Sequence, residues 1–281
     1  MNNNSIGIMQ GRLLPRYNER YQAFPPENWK DEFQRAKSIG FDCIEFIYDY
    51  ENYNESPLIT RKGVNEIKEI MATTGVKVLS VCADFFMNNR LFDLDSQKRG
   101  NNIDHLKNLI EKSSVIGVKD ITVPFVDNSS LKNSRDLENA RVCLLEILPL
   151  AGKYGVNINI EADLPPMEFH GFLKRLNHQS IKVNYDIGNS ASLGYDPEEE
   201  MLSYGSYISV LHVKDRVRGG GSVKLGSGNA DFEKVFKNLK KLDFNGVIIM
   251  QAARAESYAD EMKFVTEQFD FLKNCLERWY Y

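Results

Sequence analysis

Long apolar runs, paired cysteines and an excess of positive charge are all missing from this sequence of 281 residues. No apolar run approaches the roughly 18 residues of a membrane helix, and the opening MNNNSIGIMQGR has neither region of a secretory signal. The four cysteines are scattered without a C-x-x-C pair, which predicts reduced core residues. A net charge of −4 argues against nucleic acid or an anionic membrane as the main partner. We therefore expect a cytoplasmic protein with neither of those partners.

What the sequence does contain is a regular alternation of strand-length apolar runs and helical patterns. The apolar runs predict eight strands, at 5–10, 41–48, 76–84, 120–125, 156–163, 181–188, 207–214 and 246–252. Helical spacing predicts helices near 28–39, 60–74, 97–116, 134–152, 230–241 and 258–277, and the pair Pro165-Pro166 suits the first turn of another.

Strands that alternate with helices form parallel sheets, and eight such units fit a closed barrel in a chain of this length. The predicted fold class is therefore α/β, a single (β/α)8 TIM barrel that forms one domain over residues 1–281. A doubly wound open sheet is the alternative. The turn after the first predicted strand, GRLLPR, lacks the glycine-rich phosphate turn that such sheets usually carry there.

Polar residues close most of the predicted strands, at the end of the barrel where active sites lie. Four of them end the last four strands, namely Glu161, Asp186, His212 and Gln251. Neighbouring strands lie about 4.8 Å apart, so these four side chains can converge. Two carboxylates, one imidazole and one amide oxygen suit a single divalent ion such as Mn²⁺, Mg²⁺, Co²⁺ or Zn²⁺. Taken singly, each has an ordinary structural alternative: an ion-paired carboxylate, a helix cap or a core histidine.

A charged, glycine-rich loop follows the seventh predicted strand. Lys214, Asp215, Arg216 and Arg218 precede the glycines 219–221, which would let backbone N–H groups approach a ligand. The pattern favours either a grip on an anionic group or a solvated loop face. Together with the other strand-end residues, it gives our predicted substrate-binding set, which is Gln10, Arg12, Glu45, Asp84, Asn189, Asp215, Arg216, Arg218 and Arg254.

Several segments carry a family resemblance: GIMQGRL, SVCADFFM, IEADLPP, NYDIGNSASLGYDP, and HVKDR followed by LGSGNADF. Together they resemble the xylose isomerase-like TIM-barrel superfamily, in particular its sugar phosphate isomerase and epimerase branch. The resemblance implies a metal-dependent enzyme that removes a proton next to the carbonyl of a small sugar or sugar phosphate, through an enediolate. It places the metal ligands on Glu161, Asp186, His212 and Gln251. We assign Glu161, as the base, and Lys214 as catalytic residues.

Two residues depart from the pattern of that branch. Gln251 stands where the family has a second glutamate ligand, and Asn189 stands where it has a substrate-contacting histidine. A glutamine cannot take up a proton, so Gln251 disfavours the two-carboxylate scheme of the ketose epimerases. One base suits isomerisation, or elimination of water as in an inosose-type dehydratase. Epimerisation would need another acid, for which Asp84, Glu45 and Glu256 are the candidates.

Further alternatives are a degenerate barrel that binds a sugar without converting it, and the apurinic endonuclease branch of the superfamily. The endonucleases bind zinc through several histidines, whereas this chain has four histidines in all and an acidic pI. We therefore disfavour DNA repair. The aromatic C-terminal segment RWYY is a candidate contact surface for a homo-oligomer, or it packs the last helix against the barrel.

Overall fold

A closed barrel of eight parallel strands forms the centre of the computed structural model, which describes residues 4–281. The barrel strands are β1 (Ile6–Met9), β2 (Cys43–Ile47), β3 (Lys77–Cys82), β4 (Asp120–Phe125), β5 (Asn157–Ala162), β6 (Ile181–Asp186), β7 (Ile208–Val213) and β10 (Val247–Met250). Their order round the barrel is β1-β10-β7-β6-β5-β4-β3-β2. Two short strands in the loop after β7, β8 (Asp215–Arg216) and β9 (Ser222–Val223), pair as an antiparallel hairpin.

Helices connect the barrel strands and surround them. They are α1 (Asp31–Ile39), α2 (Arg61–Thr74), α3 (Phe85–Asn88), α4 (Ser96–Ser114), α5 (Ser134–Tyr154), α6 (Pro166–Leu176), α7 (Ile187–Leu193), α8 (Pro197–Tyr204), α9 (Phe232–Lys241) and α10 (Glu261–Trp279). The (β/α)8 barrel predicted from the sequence is thus confirmed, and the long helices are found with their ends shifted by a few residues. No helix within residues 4–281 is long and apolar enough to cross a membrane.

The segment 181–188 was predicted as strand throughout, and the structure corrects its end. The strand stops at Asp186, because the carboxylate of that residue accepts a hydrogen bond from the backbone N–H of Asn189 at 2.8 Å and so caps α7. The cap turns the chain sharply at the end of β6. As a result, both Asp186 and Asn189 face the same end of the barrel.

Burial of apolar side chains between the barrel and its helices holds the fold together. Fully buried examples are Leu106 on α4, Leu144 on α5 and Leu272 on α10, and each stabilises the fold by about 1.5–3 kcal/mol relative to an exposed position. A smaller apolar cluster belongs to alternate strand positions that face the barrel interior: Met9, Cys43, Ile47, Cys82, Val210 and Ile249. All four cysteines are buried and free, as the sequence predicts.

The strand register brings the predicted ligands side by side. Asp186 on β6 is the register partner of His212 on β7, and Glu161 is the fifth residue of β5. Met250 at the end of β10 pairs with Val213, so Gln251 follows next to the end of β7. The carboxyl ends of four neighbouring strands therefore present their polar residues to one place.

Candidate metal centre and substrate cleft

A cleft of about 340 Å³ opens at the carboxyl ends of the barrel strands. Polar and charged side chains form most of its wall, including Arg12, Arg20, Gln22, Asp84, Glu161, Asn189, Lys214, Arg216 and Gln251. A second cavity of about 140 Å³ adjoins it and shares Glu161, Asn189 and Arg216 with it. The cleft is large enough for a small sugar, and its wall offers hydrogen-bond donors of both neutral and positive character.

Three buried side chains next to these cavities form a compact group of metal-ligand type: Glu161 lines both cavities, Asp186 lines the second, and His212 lies behind them. One ligand atom each from Glu161, Asp186 and His212 lies within 4.8 Å of the others. Nδ1 of His212 lies 3.9 Å from a carboxylate oxygen of Glu161 and 3.9 Å from one of Asp186. Two carboxylate oxygens and an imidazole nitrogen are donors that Mn²⁺, Mg²⁺, Co²⁺ and Zn²⁺ accept, so this donor set fits one divalent cation.

Glu45 fixes the orientation of the His212 ring. Its carboxylate oxygen lies 2.7 Å from Nε2 of His212, and both side chains are fully buried. Nε2 therefore donates to Glu45, and Nδ1 accepts a hydrogen bond from Nδ2 of Asn184 at 3.0 Å, beside the carboxylates of Glu161 and Asp186. Burial opposes a charge on His212, but the contact with Glu45 outweighs it and raises the pKa of the imidazole. We predicted Glu45 to touch substrate; within residues 4–281 the structure instead places it off the cleft wall, with its carboxylate on the histidine.

The two carboxylates of the group destabilise each other. Burial raises the pKa of Glu161 to about 7, and the neighbouring Asp186 adds to the rise. Neutral amides hold the two oxygens of Glu161: Nδ2 of Asn184 donates to one at 2.8 Å and Nδ2 of Asn189 to the other at 2.7 Å. A dry carboxylate pair without a full counter-charge is costly, and a bound cation would relieve that cost.

Lys214 and Gln251 complete the group on its β10 side. Nζ of Lys214 lies 2.6 Å from Asp186 and donates a hydrogen bond to Oε1 of Gln251 at 3.0 Å. The amide nitrogen of Gln251 donates to Oε1 of Gln22 at 3.0 Å. The amide of Gln251 is thereby held with its oxygen toward the acidic cluster, the orientation that a metal ligand needs.

Asn189 connects the acidic cluster to the charged loop after β7. Besides its bond to Glu161, its side-chain oxygen accepts a hydrogen bond from the guanidinium of Arg216 at 2.8 Å. Arg216 is also held by the carbonyl of Gly220 at 2.9 Å. The asparagine found where the family has a histidine therefore binds two groups that face the cleft.

Arg12 and Asp84 form the opposite wall of the cleft. Arg12 donates to the side-chain oxygen of Gln22 and to the backbone oxygen of Tyr21, each at 2.9 Å, and lies over the Tyr21 ring at 4.9 Å. Burial lowers the pKa of its guanidinium to about 10. Asp84 accepts a hydrogen bond from Nε2 of Gln22 at 2.7 Å, and burial raises its pKa.

Two other residues of the predicted substrate set are held by the protein itself. Within residues 4–281, neither Gln10 nor Asp215 lines the cleft. The side-chain oxygen of Gln10 accepts a hydrogen bond from the backbone of Ile47 at 3.0 Å. Asp215 is fully buried and accepts hydrogen bonds from three backbone N–H groups of one loop, those of Gly226, Gly228 and Ala230. Asp215 therefore shapes the LGSGNA loop.

Two predicted arginines also lie off the cleft within residues 4–281. Arg218 is exposed, and its guanidinium packs over Gly194. Arg254 is buried, forms an ion pair with Glu261 at 3.4 Å and donates to the carbonyl of Leu14. It links the loop after β10 to α10 and to the loop after β1, which gives it a structural role.

Sequence reasoning missed several residues of this region, among them Arg20, Gln22 and Asn184. The sequence could have indicated Asn184, because it precedes Asp186 by two positions on β6 and so faces the same side of the strand. Gln22 lies in the long loop after β1, where no periodicity indicates direction. Only the folded chain shows that it contacts Arg12, Asp84 and Gln251.

Comparison with known proteins gives a consistent assignment. A family profile described as xylose isomerase-like TIM barrel matches residues 33–275. The L-ribulose-5-phosphate 3-epimerase UlaE of Escherichia coli O157:H7 (strain EC4115 / EHEC) is 27% identical over 246 residues, an alignment that spans 84% of this chain and 87% of that protein.

Solved structures also resemble this chain. The IOLI protein with a binding zinc atom matches with a TM-score of 0.78 at 16% identity, covering 98% of this chain and 99% of that one. An L-ribulose 3-epimerase matches with a TM-score of 0.77 at 15% identity, covering 98% and 95%. At such identities the structural likeness shows the fold alone.

Proposed function

Because the chain belongs to the xylose isomerase-like TIM-barrel family, we propose that it is a divalent-metal-dependent isomerase or epimerase of a small sugar or sugar phosphate. The observation that carries the proposal is the buried group of Glu161, Asp186 and His212 beside the cleft. The name of the enterobacterial relative supports a phosphorylated ketose as the first substrate to try.

The chain offers four groups for the cation: Glu161, Asp186, His212 through Nδ1, and Gln251 through Oε1. A cation bound there would polarise the substrate carbonyl and offset the negative charge that develops on its oxygen. Lys214 contacts Asp186 and Gln251, so it provides positive charge beside the substrate carbonyl oxygen. Arg216 and Arg12 provide hydrogen-bond donors for the hydroxyl or phosphate groups of the substrate.

Glu161 is the base in this proposal. Its two neutral amide partners hold the carboxylate in place without neutralising its charge. The carboxylate takes the proton from the carbon next to the carbonyl, and the C–H electron pair moves into the enediolate. Return of the proton to the neighbouring carbon gives the isomer, and return to the opposite face of the same carbon gives the epimer.

The test uses L-ribulose 5-phosphate with Mn²⁺ in deuterated water, followed by NMR. We expect loss of the proton next to the carbonyl together with a new sugar phosphate. In the Glu161→Gln variant the conversion to product should fall by about 100-fold or more. Protein stripped with a chelator and reloaded with Mn²⁺ is the control for metal content. Conversion by Glu161→Gln at the wild-type rate would refute the assigned base. A dehydrated product would favour the dehydratase alternative over isomerisation.

A further inference from the structure

Inversion of a carbon centre needs a proton donor on the face opposite the base. Gln251 has no proton of suitable acidity to give, although it occupies the position of the second carboxylate in the family pattern. The sequence offers three other carboxyl groups, Asp84, Glu45 and Glu256. The structure shows which of these three carboxyl groups lines the cleft.

Two of the three are ruled out by position. Glu45 is fully buried, binds Nε2 of His212 at 2.7 Å and lies off the cleft wall. Glu256 is exposed in the segment between β10 and α10, and it also lies off the wall. Asp84 follows β3 directly and lines the same cleft as Glu161, Lys214 and Gln251. Of the three candidates, it is the one that can meet a substrate there. Asp127 also lines the cleft, but it is exposed to solvent.

Hydrogen bonds tie Asp84 to the position where the family has its second carboxylate. The amide of Gln251 donates to Gln22 at 3.0 Å, and the amide of Gln22 donates to Oδ2 of Asp84 at 2.7 Å. Position 251 has no carboxyl group, but Gln22 connects Gln251 to the carboxyl group of Asp84. Gln22 also binds Arg12, which fixes its amide and so the direction of Asp84.

The surroundings of Asp84 suit a group that carries a proton. Its second oxygen contacts Sγ of Cys82 at 3.2 Å, so both of its close partners, Cys82 and Gln22, are neutral. Burial raises the pKa of the carboxyl group, and negative charge on Asp49 and Glu45 adds to the rise. Such a group retains its proton closer to neutral pH than an exposed aspartate does.

From this geometry, and resting on the proposed function, we propose that Asp84 is the acid–base group opposite Glu161 and takes the role of the carboxyl group that is absent at position 251. Glu161 takes the proton of one epimer: the C–H bond breaks, an O–H bond forms on Glu161, and the electron pair enters the enediolate. The O–H bond of Asp84 then breaks as a new C–H bond forms on the other face. Exchange of protons with water returns both carboxyl groups to their starting states.

The decisive experiment compares proton exchange from the two epimers separately. L-ribulose 5-phosphate and its C3 epimer are each incubated with the Mn²⁺-loaded protein in deuterated water and followed by NMR. The wild type should exchange and interconvert both. Asp84→Asn, which keeps an oxygen for Gln22, should interconvert them at least about 100-fold more slowly. It should still exchange the one epimer whose C–H faces Glu161, and Glu161→Gln should exchange only the other.

Glu256→Gln is the matched control, because it removes a carboxyl group that lies off the cleft; it should behave as the wild type. Two readouts without substrate, the Mn²⁺ affinity and the melting temperature, should be the same in Asp84→Asn as in the wild type. Interconversion by Asp84→Asn at the wild-type rate would overturn the proposal, as would equal loss of exchange from both epimers with Mn²⁺ binding intact. A wild type that exchanges neither epimer would instead refute the proposed function.

Discussion

The barrel interior contains buried carboxylates near both ends of the strands, and the side chains that surround them differ. Near the amino end, Asp120 on β4 accepts hydrogen bonds from three neutral donors: Asn157 at 3.0 Å, Asn159 at 2.9 Å and Ser209 at 2.7 Å. Near the carboxyl end, Glu161 and Asp186 lie close together beside His212 and the charge of Lys214.

Burial by itself therefore does not mark a functional carboxylate. Asp120 is closed off by its partners and can be explained as a structural hydrogen-bond centre that ties β4 to β5 and β7. The group at the other end has two acidic residues, an oriented imidazole and an open cleft beside it. Cation binding is expected only in the second arrangement, because it brings two carboxylates and an imidazole nitrogen together beside an open cleft.

Replacement of Asp120 by alanine should give the largest change in stability. Three buried donors lose their acceptor, so the free energy of unfolding should fall by about 3 kcal/mol. The Mn²⁺ affinity should change less than about threefold, because the site lies at the other end of the barrel. Urea unfolding and calorimetric titration measure the two effects. A tenfold loss of Mn²⁺ affinity would show that the two ends are not independent.

Glu32 on α1 provides a pH test of a third buried carboxyl group. Burial raises its pKa from 4.5 to about 7, although backbone N–H groups of Gly11 and Leu13 partly offset the rise. Between these values the folded state binds more protons than the unfolded state, so stability falls as the pH rises. The loss should reach about 3 kcal/mol at most.

Glu32→Gln should remove that part of the pH dependence. Urea unfolding near pH 5 and near pH 8 should show a smaller loss of stability in the variant than in the wild type. Glu138→Gln, at an exposed site on α5 that pairs with Arg141, serves as the control. The same slope in wild type and Glu32→Gln would refute the assignment.

The contact between Glu45 and His212 predicts a smaller effect on metal binding. Glu45→Leu removes the acceptor of Nε2, so Mn²⁺ should bind about 10–100-fold more weakly. Glu45→Gln keeps an acceptor oxygen and should recover most of that loss. Calorimetric titration of the metal-free variants distinguishes them. Equal affinity in the leucine variant and the wild type would mean that the ring is oriented without Glu45.

Substitutions of Arg216 and Arg218 in the charged loop should have the smallest effects. Arg218→Ala should change kcat/KM for the sugar phosphate by less than about twofold, because surface changes away from special features are nearly neutral. Arg216→Ala removes a guanidinium that binds Asn189 and lines the cleft, so it should raise KM by about tenfold. A larger effect at Arg218 would place the substrate outside the cleft described above.

The sequence predicted the barrel and the positions of the acidic ligands because both follow from periodicity. Alternating apolar runs define the strands, and polar residues such as Glu161 and Asp186 stand where those runs stop. The same rule could not show which strand-end side chains bind other parts of the protein instead of facing the cleft. Asp215 binds its own loop and Glu45 crosses the barrel to His212, and neither contact has a signal in sequence spacing.

The contribution of loops was the least predictable part of the site. Gln22 lies far from any strand end in the sequence, yet its amide joins Asp84 to Gln251. The cytoplasmic location, the single domain over 1–281 and a homo-oligomer built through the C-terminal aromatic residues stay predictions.

Binding of Mn²⁺ to the metal-free protein tests the central claim most directly. Calorimetric titration should find one cation per chain in the wild type. Asp186→Asn keeps an oxygen for the N–H of Asn189 but removes one charge from the cluster, so it should bind about 10–100-fold more weakly. The Asp120→Asn variant should bind as the wild type does. Unchanged affinity in Asp186→Asn, or no binding by the wild type, would contradict a metal centre at the carboxyl end of the barrel.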